Sequence, residues 1–318
     1  PFDVESGPLV RGSVFRLTDV DHVLCVVMHH VVADEWSVRI FQRELSTLYR
    51  AFAAGLASPL PPLPIQYADF AVWQRNRLQG PVLDRLLDYW TRQLADLTPA
   101  QLPTDRPRPA TPTGAGDMIT TSLPAPVADH LRTLAHQHQV TVFMALLAAF
   151  QLVLARWTGQ RDIAVAIPVA DRSRPETHTL IGFFVNTLII RTHITPTTTF
   201  AELLTQVRTT VLEAFAHQDL PFERLVEALA PHRDRTRNPL TPIVYNHETP
   251  TPHNPNTTTT STDGTGWDLP DIHTTTYPLP CPHSKFDLTL NTTDHGPATN
   301  LTITTEYATQ LFNHTTIQ

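Results

Sequence analysis

The sequence predicts an α+β protein in two lobes, and three observations predict it. Segments of period-two or continuous β-branched character, such as "HVLCVVMH", "DIAVAIPVA" and "KFDLTLNTT", are mixed with segments of helical period, and no strict βαβ repeat orders them. A Pro-, Thr- and Gly-rich stretch at 97–116, "LTPAQLPTDRPRPATPTGAG", cannot form an element. It reads as a crossover between a first lobe, 1–105, and a second, 106–318. The chain's 318 residues, 41% hydrophobic and 17% charged, leave room for about two cores.

Taken in order, "SVFRLT" (13–18) and "HVLCVVMH" (22–29) predict two strands joined by a turn at Asp19 to Asp21. The second is nearly continuously apolar, which predicts burial on both faces. From Trp36 the period lengthens: Phe41, Leu45, Leu48 and Phe52 share one helical face, and Gly55 with the prolines of 59–64 ends it. Residues 66–97 predict helix, with a break near Gly80-Pro81. Past the crossover come a strand at 117–123, helices at 125–138 and 141–157, central strands at 162–170 and 184–194, and helices at 199–215 and 221–229. The Thr-, Pro- and Asn-rich region 250–280 predicts a long loop. Alternation through Leu288, Leu290, Leu301 and Ile303 predicts strands over 285–293 and 300–307, and a terminal helix is expected near Thr309.

Bulk charge and cysteine usage exclude several classes. The net charge is -7 and no basic stripe is visible, so nucleic acid is not the expected partner. Cys25 and Cys281 form neither a disulfide framework nor a zinc spacing. No apolar run approaches the roughly 18 to 20 residues of a membrane helix, so no membrane partner is expected. The start "PFDVESGPLVRG" has no initiator Met and no signal peptide, which predicts a piece of a larger cytoplasmic protein.

The chemistry-bearing stretch is "MHHVVADEWS", 28–37, where His29 and His30 end an apolar run and Asp34 follows. A histidine acts as a general base when it has access to the proton, the right tautomer and a pKa near the working pH. A strand end supplies the access. Adjacent strand residues point to opposite faces, so His29 and His30 are not expected to share a metal, and no metal site is expected. Asp34 orients a histidine or pairs with a distant arginine. No G-x-S-x-G turn and no Cys–His pairing signals covalent catalysis.

"MHHVVADEWS" resembles the H-H-x-x-x-D-G motif of acyltransferases with the chloramphenicol acetyltransferase fold. "YADFAVW" (67–73), "IGFFVNTLIIR" (181–191), "HQDLPFE" (217–223) and "RDRTRNPL" (233–240) narrow the resemblance to condensation domains of nonribosomal peptide synthetases, and "LPTDRPRP" (102–109) and "SKFDLTL" (284–290) agree with it. The resemblance covers nearly the whole chain. It implies a V-shaped pair of acetyltransferase-like lobes, here with the first lobe incomplete, and an acyltransferase that forms amide bonds in antibiotic and other secondary metabolism. Upstream and downstream peptidyl carrier proteins and an adjacent adenylation domain are the implied partners. Substrates would arrive on 4'-phosphopantetheine arms, and the domain itself would bind no cofactor.

By motif match the resemblance makes His30 the catalytic residue, as base or as the group that positions the amine. His29 is expected to face the core or pack beside the loop. Asp34 is expected to pair with Arg172 in "PVADRSRPE" or, second, with Arg191. Glu35, Trp36, Ser37, Gly182 and Asn186 are candidates for contact with the substrate channel. Three positions depart from the family pattern: Glu35 and Asp171 stand where glycine is usual, and "TPIVYNHETP" is more polar than the usual strand after "RNPL". Glu35 motivates a rival expectation, a silent domain kept for docking, whereas a Glu35 carboxylate turned to solvent or to a basic group leaves His30 accessible.

Overall fold

The computed structural model describes residues 2–229, 238, 240–249, 267, 269–277 and 283–318. These form two compact units, and the chain passes between them more than once. The first holds residues up to 78, then 170–185, and the described residues of 252–279; the second holds 79–169, 186–251 and 280–318 where described. Packing therefore divides the chain differently from a single boundary at 105.

In the first unit, β1 (Val10–Arg16) and β2 (His22–Met28) form an antiparallel ribbon. The expected burial of β2 on both faces is not observed: Leu24 and Val27 are each 47% exposed. Among the described residues β2 pairs with β1 alone, and a two-stranded ribbon without a covering layer shields neither face. The helix α1 (Glu35–Ala53) follows, its N-terminus capped by the Asp34 side chain on the Ser37 N–H. Next comes α2 (Tyr67–Arg77), opened by a capping box between Gln66 and Asp69.

The second unit begins with α3 (Gly80–Gln93), so the helical stretch breaks at Gly80-Pro81 as its sequence predicts. Its centre is a six-stranded sheet in the order β3-β8-β7-β6-β4-β5. The strands are β3 (Gly116–Leu123), β4 (Asp162–Val169), β5 (Asn186–His193), β6 (Ile243–Glu248), β7 (Leu288–Asp294) and β8 (Leu301–Ala308). The β4–β6 and β6–β7 pairs are parallel and the others antiparallel. From Ile163 to Ile167 β4 is buried residue after residue, which is why this stretch is continuously apolar.

Helices α4 (Ala125–Gln137), α5 (Val142–Thr158) and α6 (Phe200–Ala216) complete the layers, with α7 (Phe222–Leu229) and the short α8 (His314–Ile317). α5 is apolar almost all round because it is a core helix. Thr141 caps its start, and Gly159, at φ 70°, ends it in the left-handed region. The terminal helix begins at His314 rather than near Thr309, because Thr309 and Phe312 give their carbonyls to Arg106. Arg108 of "LPTDRPRP" pairs with Asp287 of "SKFDLTL", so these two stretches meet.

The strand β6 was the least legible element. "TPIVYNHETP" has only a short apolar core, yet Ile243, Val244 and Tyr245 are buried between β4 and β7. Parallel pairing from both sides supplies what local sequence does not. The motif 233–240 lies mostly outside the described residues, as do Cys281 and much of the loop 250–280.

Candidate active site

The strand β2 stops at Met28, one residue before the histidines. His29 and His30 are therefore not alternate strand residues, as the sequence suggested; they enter a short 3-10 turn, His30–Val32. His29 caps this turn, its Nδ1 accepting the Val31 N–H at 3.1 Å, while its ring packs edge-on against Phe2. One lone pair of His29 is thus spent on the backbone.

His30 is exposed, and its Nδ1 lies 2.8 Å from the Ala33 carbonyl oxygen. A carbonyl only accepts, so Nδ1 carries the hydrogen, and in the neutral ring the lone pair sits at Nε2. The Phe183 ring stands edge-to-face on the imidazole, 5.2 Å between centroids and 87° between planes. The tautomer and the ring plane are both set.

Behind His30 lies a buried polar knot. Arg172 Nη2 donates to Asp34 Oδ1 and Oδ2 at 3.0 and 3.2 Å and to Ser37 Oγ at 3.0 Å. Its Nη1 donates to the carbonyls of Thr177 and Leu180. The guanidinium carbon lies 4.1 Å over the Phe184 ring, and the buried Nε has no hydrogen-bond acceptor among the described residues. Asp34 also accepts the N–H groups of Ser37 and Phe184. Burial alone would raise the Asp34 carboxyl; the hydrogen bonds from Ser37 and Phe184 and the Arg172 charge outweigh it and hold the group below the usual range.

The remaining candidates fall in different places. Arg191 is in the other unit, where it pairs with Asp162 at 2.6 Å and donates to the carbonyls of Gln93 and Ala95; it does not meet Asp34. Asn186 is bonded to backbone groups on all sides. Its Nδ2 donates to the Gln218 and Leu220 carbonyls and its Oδ1 accepts the Thr187 and Phe222 N–H groups. This fills its hydrogen-bonding capacity and holds the "HQDLPFE" turn at the start of α7.

Ser37 is likewise buried inside the knot: its hydroxyl lies 2.6 Å from Asp34 Oδ1 and 2.8 Å from the Gly182 carbonyl, and it accepts the Gly182 N–H. Trp36 donates its indole N–H to the His178 carbonyl and is 41% exposed. Glu35 sits in the first turn of α1 and turns along the helix to Arg39, 2.7 Å away, with its side chain 59% exposed. Gly182 is required by close approach: a Cβ would overlap the Tyr67 ring and lie 2.9 Å from Phe184 Cε2. Asp171 has φ 38°, a left-handed backbone that Asp tolerates better than most residues.

Sequence reasoning missed three contributors: the Ala33 carbonyl, the Phe183 ring and the Tyr67 hydroxyl, which donates to the Phe183 carbonyl at 2.7 Å. All three lie inside stretches the motifs had marked: Ala33 in 28–37, Tyr67 in 67–73 and Phe183 in 181–191. Among the described residues no cluster of three or more His, Cys, Asp or Glu is placed to hold a metal ion. Nor is any single helix among them long and apolar enough to cross a membrane.

A family model for the condensation domain matches residues 1–318. Chondramide synthase cmdD of Chondromyces crocatus is 41% identical over 317 residues, which cover 100% of this chain and 8% of that protein. Phosphinothricin tripeptide synthetase PhsC of Streptomyces viridochromogenes is 44% identical over 325 residues, 100% of this chain and 28% of its own length. The chain thus spans less than a third of the length of these curated relatives. Among solved structures, the X-domain from teicoplanin biosynthesis aligns with a TM-score of 0.88 at 27% identity, over 99% of this chain and 70% of that one. A holo four-domain nonribosomal peptide synthetase bound to AMP and glycine aligns with a TM-score of 0.83 at 25% identity, over 99% of this chain and 24% of its own. The fold is accordingly the chloramphenicol acetyltransferase-like fold of these domains. Matched from end to end, the chain belongs to the condensation domains of nonribosomal peptide synthetases.

Proposed function

We propose that this domain forms an amide bond by moving an aminoacyl or peptidyl group from one carrier protein to the amine held on another. The acceptor amine attacks the donor thioester carbonyl, a C–N bond forms, the C–S bond breaks, and the amine proton is lost while the pantetheine thiol is released. The observation that carries this reading is the bonding of His30. Ala33 holds Nδ1–H, so Nε2 is left to accept a hydrogen bond from the attacking amine. As a general base it would contribute about 10^2- to 10^4-fold; as a positioning group it acts through orientation and charge.

The carrier proteins upstream and downstream and an adjacent adenylation domain are the partners this reaction requires, the substrates riding on 4'-phosphopantetheine arms. The L-aminoacyl donor subtype is part of this proposal: the histidine stretch resembles neither the D-x-x-x-x-D of cyclization domains nor the sequence usual around the histidines of epimerization domains. The test is made in the intact synthetase with both carriers loaded. The expected result is the amide product on the downstream carrier, with the upstream carrier emptied. Carriers that bind and stay loaded would refute the reading.

One observation favours a second reading, a silent domain that docks carriers or tailoring enzymes. The teicoplanin X-domain, similar at 26% identity and a TM-score of 0.88, was solved in complex with OxyB. Retention of His30, Asp34 and Arg172 with their bonding intact favours the catalytic reading.

A further inference from the structure

The peptide between Phe183 and Phe184 is held at both ends. Its carbonyl accepts the Tyr67 hydroxyl at 2.7 Å, and its N–H donates to Asp34 Oδ2 at 3.0 Å. In a trans peptide these two groups point in opposite directions, so side chains from two different helix starts grip one plane from its two sides. Tyr67 is the first residue of α2 and Asp34 caps α1. With that plane fixed, the direction in which Phe183 leaves the backbone is fixed as well, and its ring is the one that stands on His30.

Further contacts make the grip stiff. The Tyr67 ring occupies the space that the missing Gly182 side chain leaves. It also meets Phe184 edge-on at 5.1 Å, and Phe184 packs on Phe70 at 4.8 Å. Burial, followed by the nearby Asp34 charge, raises the Tyr67 phenol, which keeps its hydrogen available to the Phe183 carbonyl. On the other side of His30, Nδ1–H is tied to Ala33. The imidazole is therefore set by a hydrogen bond at Nδ1 and by an aromatic ring packed perpendicular to it.

We propose that Phe183 and Tyr67 are positioning residues for His30, Phe183 by direct ring contact and Tyr67 by fixing the peptide that carries Phe183. This gives the motif aspartate and the tyrosine of "YADFAVW" a common role beyond packing. The inference rests on His30 as the residue that meets the amine. A ring free to rotate presents Nε2 to the amine only part of the time, so loss of Phe183 lowers turnover rather than carrier binding.

The experiment is a double-mutant cycle on single-turnover condensation in the intact synthetase with loaded carriers, using Phe183→Ala, His30→Ala and both together. Phe183→Ala is expected to slow condensation by roughly tenfold to a hundredfold, with apparent affinity for the acceptor-loaded carrier unchanged. On the His30→Ala background the same change is expected to slow the residual rate by less than about twofold, because a residue acting through His30 has nothing left to position. Tyr67→Phe keeps the ring that fills the Gly182 space and removes only the hydroxyl; it is expected to reproduce the Phe183→Ala pattern more weakly. Equal slowing on both backgrounds, or a wild-type rate in Phe183→Ala with His30→Ala inactive, overturns the proposal alone. A wild-type rate in His30→Ala overturns the functional reading and this proposal together.

Discussion

Arg172 and Asp34 form an ion pair in which the side chains are 2% and 5% exposed, and the pair joins the N-terminus of α1 to the loop 170–185. Two charges removed from water to that extent hold each other's cost. The pair stands directly behind the 3-10 turn that carries His30, since Asp34 follows Ala33, whose carbonyl fixes the imidazole.

Replacing Asp34 with Asn keeps a side chain able to cap α1 but leaves Arg172 charged and buried without its counter-ion. The expected cost is about 3–5 kcal/mol, seen as a large drop in melting temperature. Adding Arg172→Met removes the stranded charge, so the double variant should be more stable than Asp34→Asn alone. If Asp34→Asn melts with the wild type and fails only in turnover, the residue acts in the chemistry and not through structure.

The same pair predicts an acid limb. The folded-state pKa of Asp34 is depressed, so its stabilising effect is fully present above the unfolded carboxylate value of about 3.9 and is lost as pH falls through the depressed value. The stability gap between wild type and Asp34→Asn should be flat at neutral pH and narrow only below about pH 4. A gap that closes between pH 5 and 8 would contradict the pairing as the source.

Asn186→Ala should destabilise the turn before α7. Two carbonyls and the Phe222 N–H lose their partner at once, at roughly 1 kcal/mol each. The variant is expected to melt earlier yet condense at the normal rate per folded molecule. A stable Asn186→Ala variant with defective condensation would return this residue to the substrate channel.

Much of this was legible in the sequence, and what was not has a physical reason. The helical face of Phe41, Leu45, Leu48 and Phe52 and the continuous apolar run of β4 are local patterns, and α1 and β4 follow them. The Asp34–Arg172 contact came from a family motif, because no local rule links residues so far apart in sequence. The backbone bonds of Asn186 were not legible, because an amide bonds a backbone turn as readily as a substrate. The strand β6 and the exposure of β2 escaped because both depend on which neighbours pair with them.

Glu35→Gly separates the two functional readings. The Glu35 carboxylate points to Arg39 with most of its side chain in solvent, so removing it should change the condensation rate by less than about twofold. A silent parent domain switched on by glycine would favour the docking reading.

The central claim, that His30 and not His29 meets the amine, is tested most directly by comparing His29→Ala with His30→Ala in single-turnover condensation by the intact synthetase, with melting curves for both. His29 uses Nδ1 to cap its own turn, whereas His30 has Nδ1 tied to the Ala33 carbonyl, and the proposed function has its Nε2 meet the amine. His30→Ala is expected to lose about 10^2-fold or more in rate at unchanged melting temperature and carrier affinity, while His29→Ala condenses at nearly the wild-type rate when folded. Equal rate losses in both variants at unchanged stability, or an active His30→Ala, would contradict the assignment.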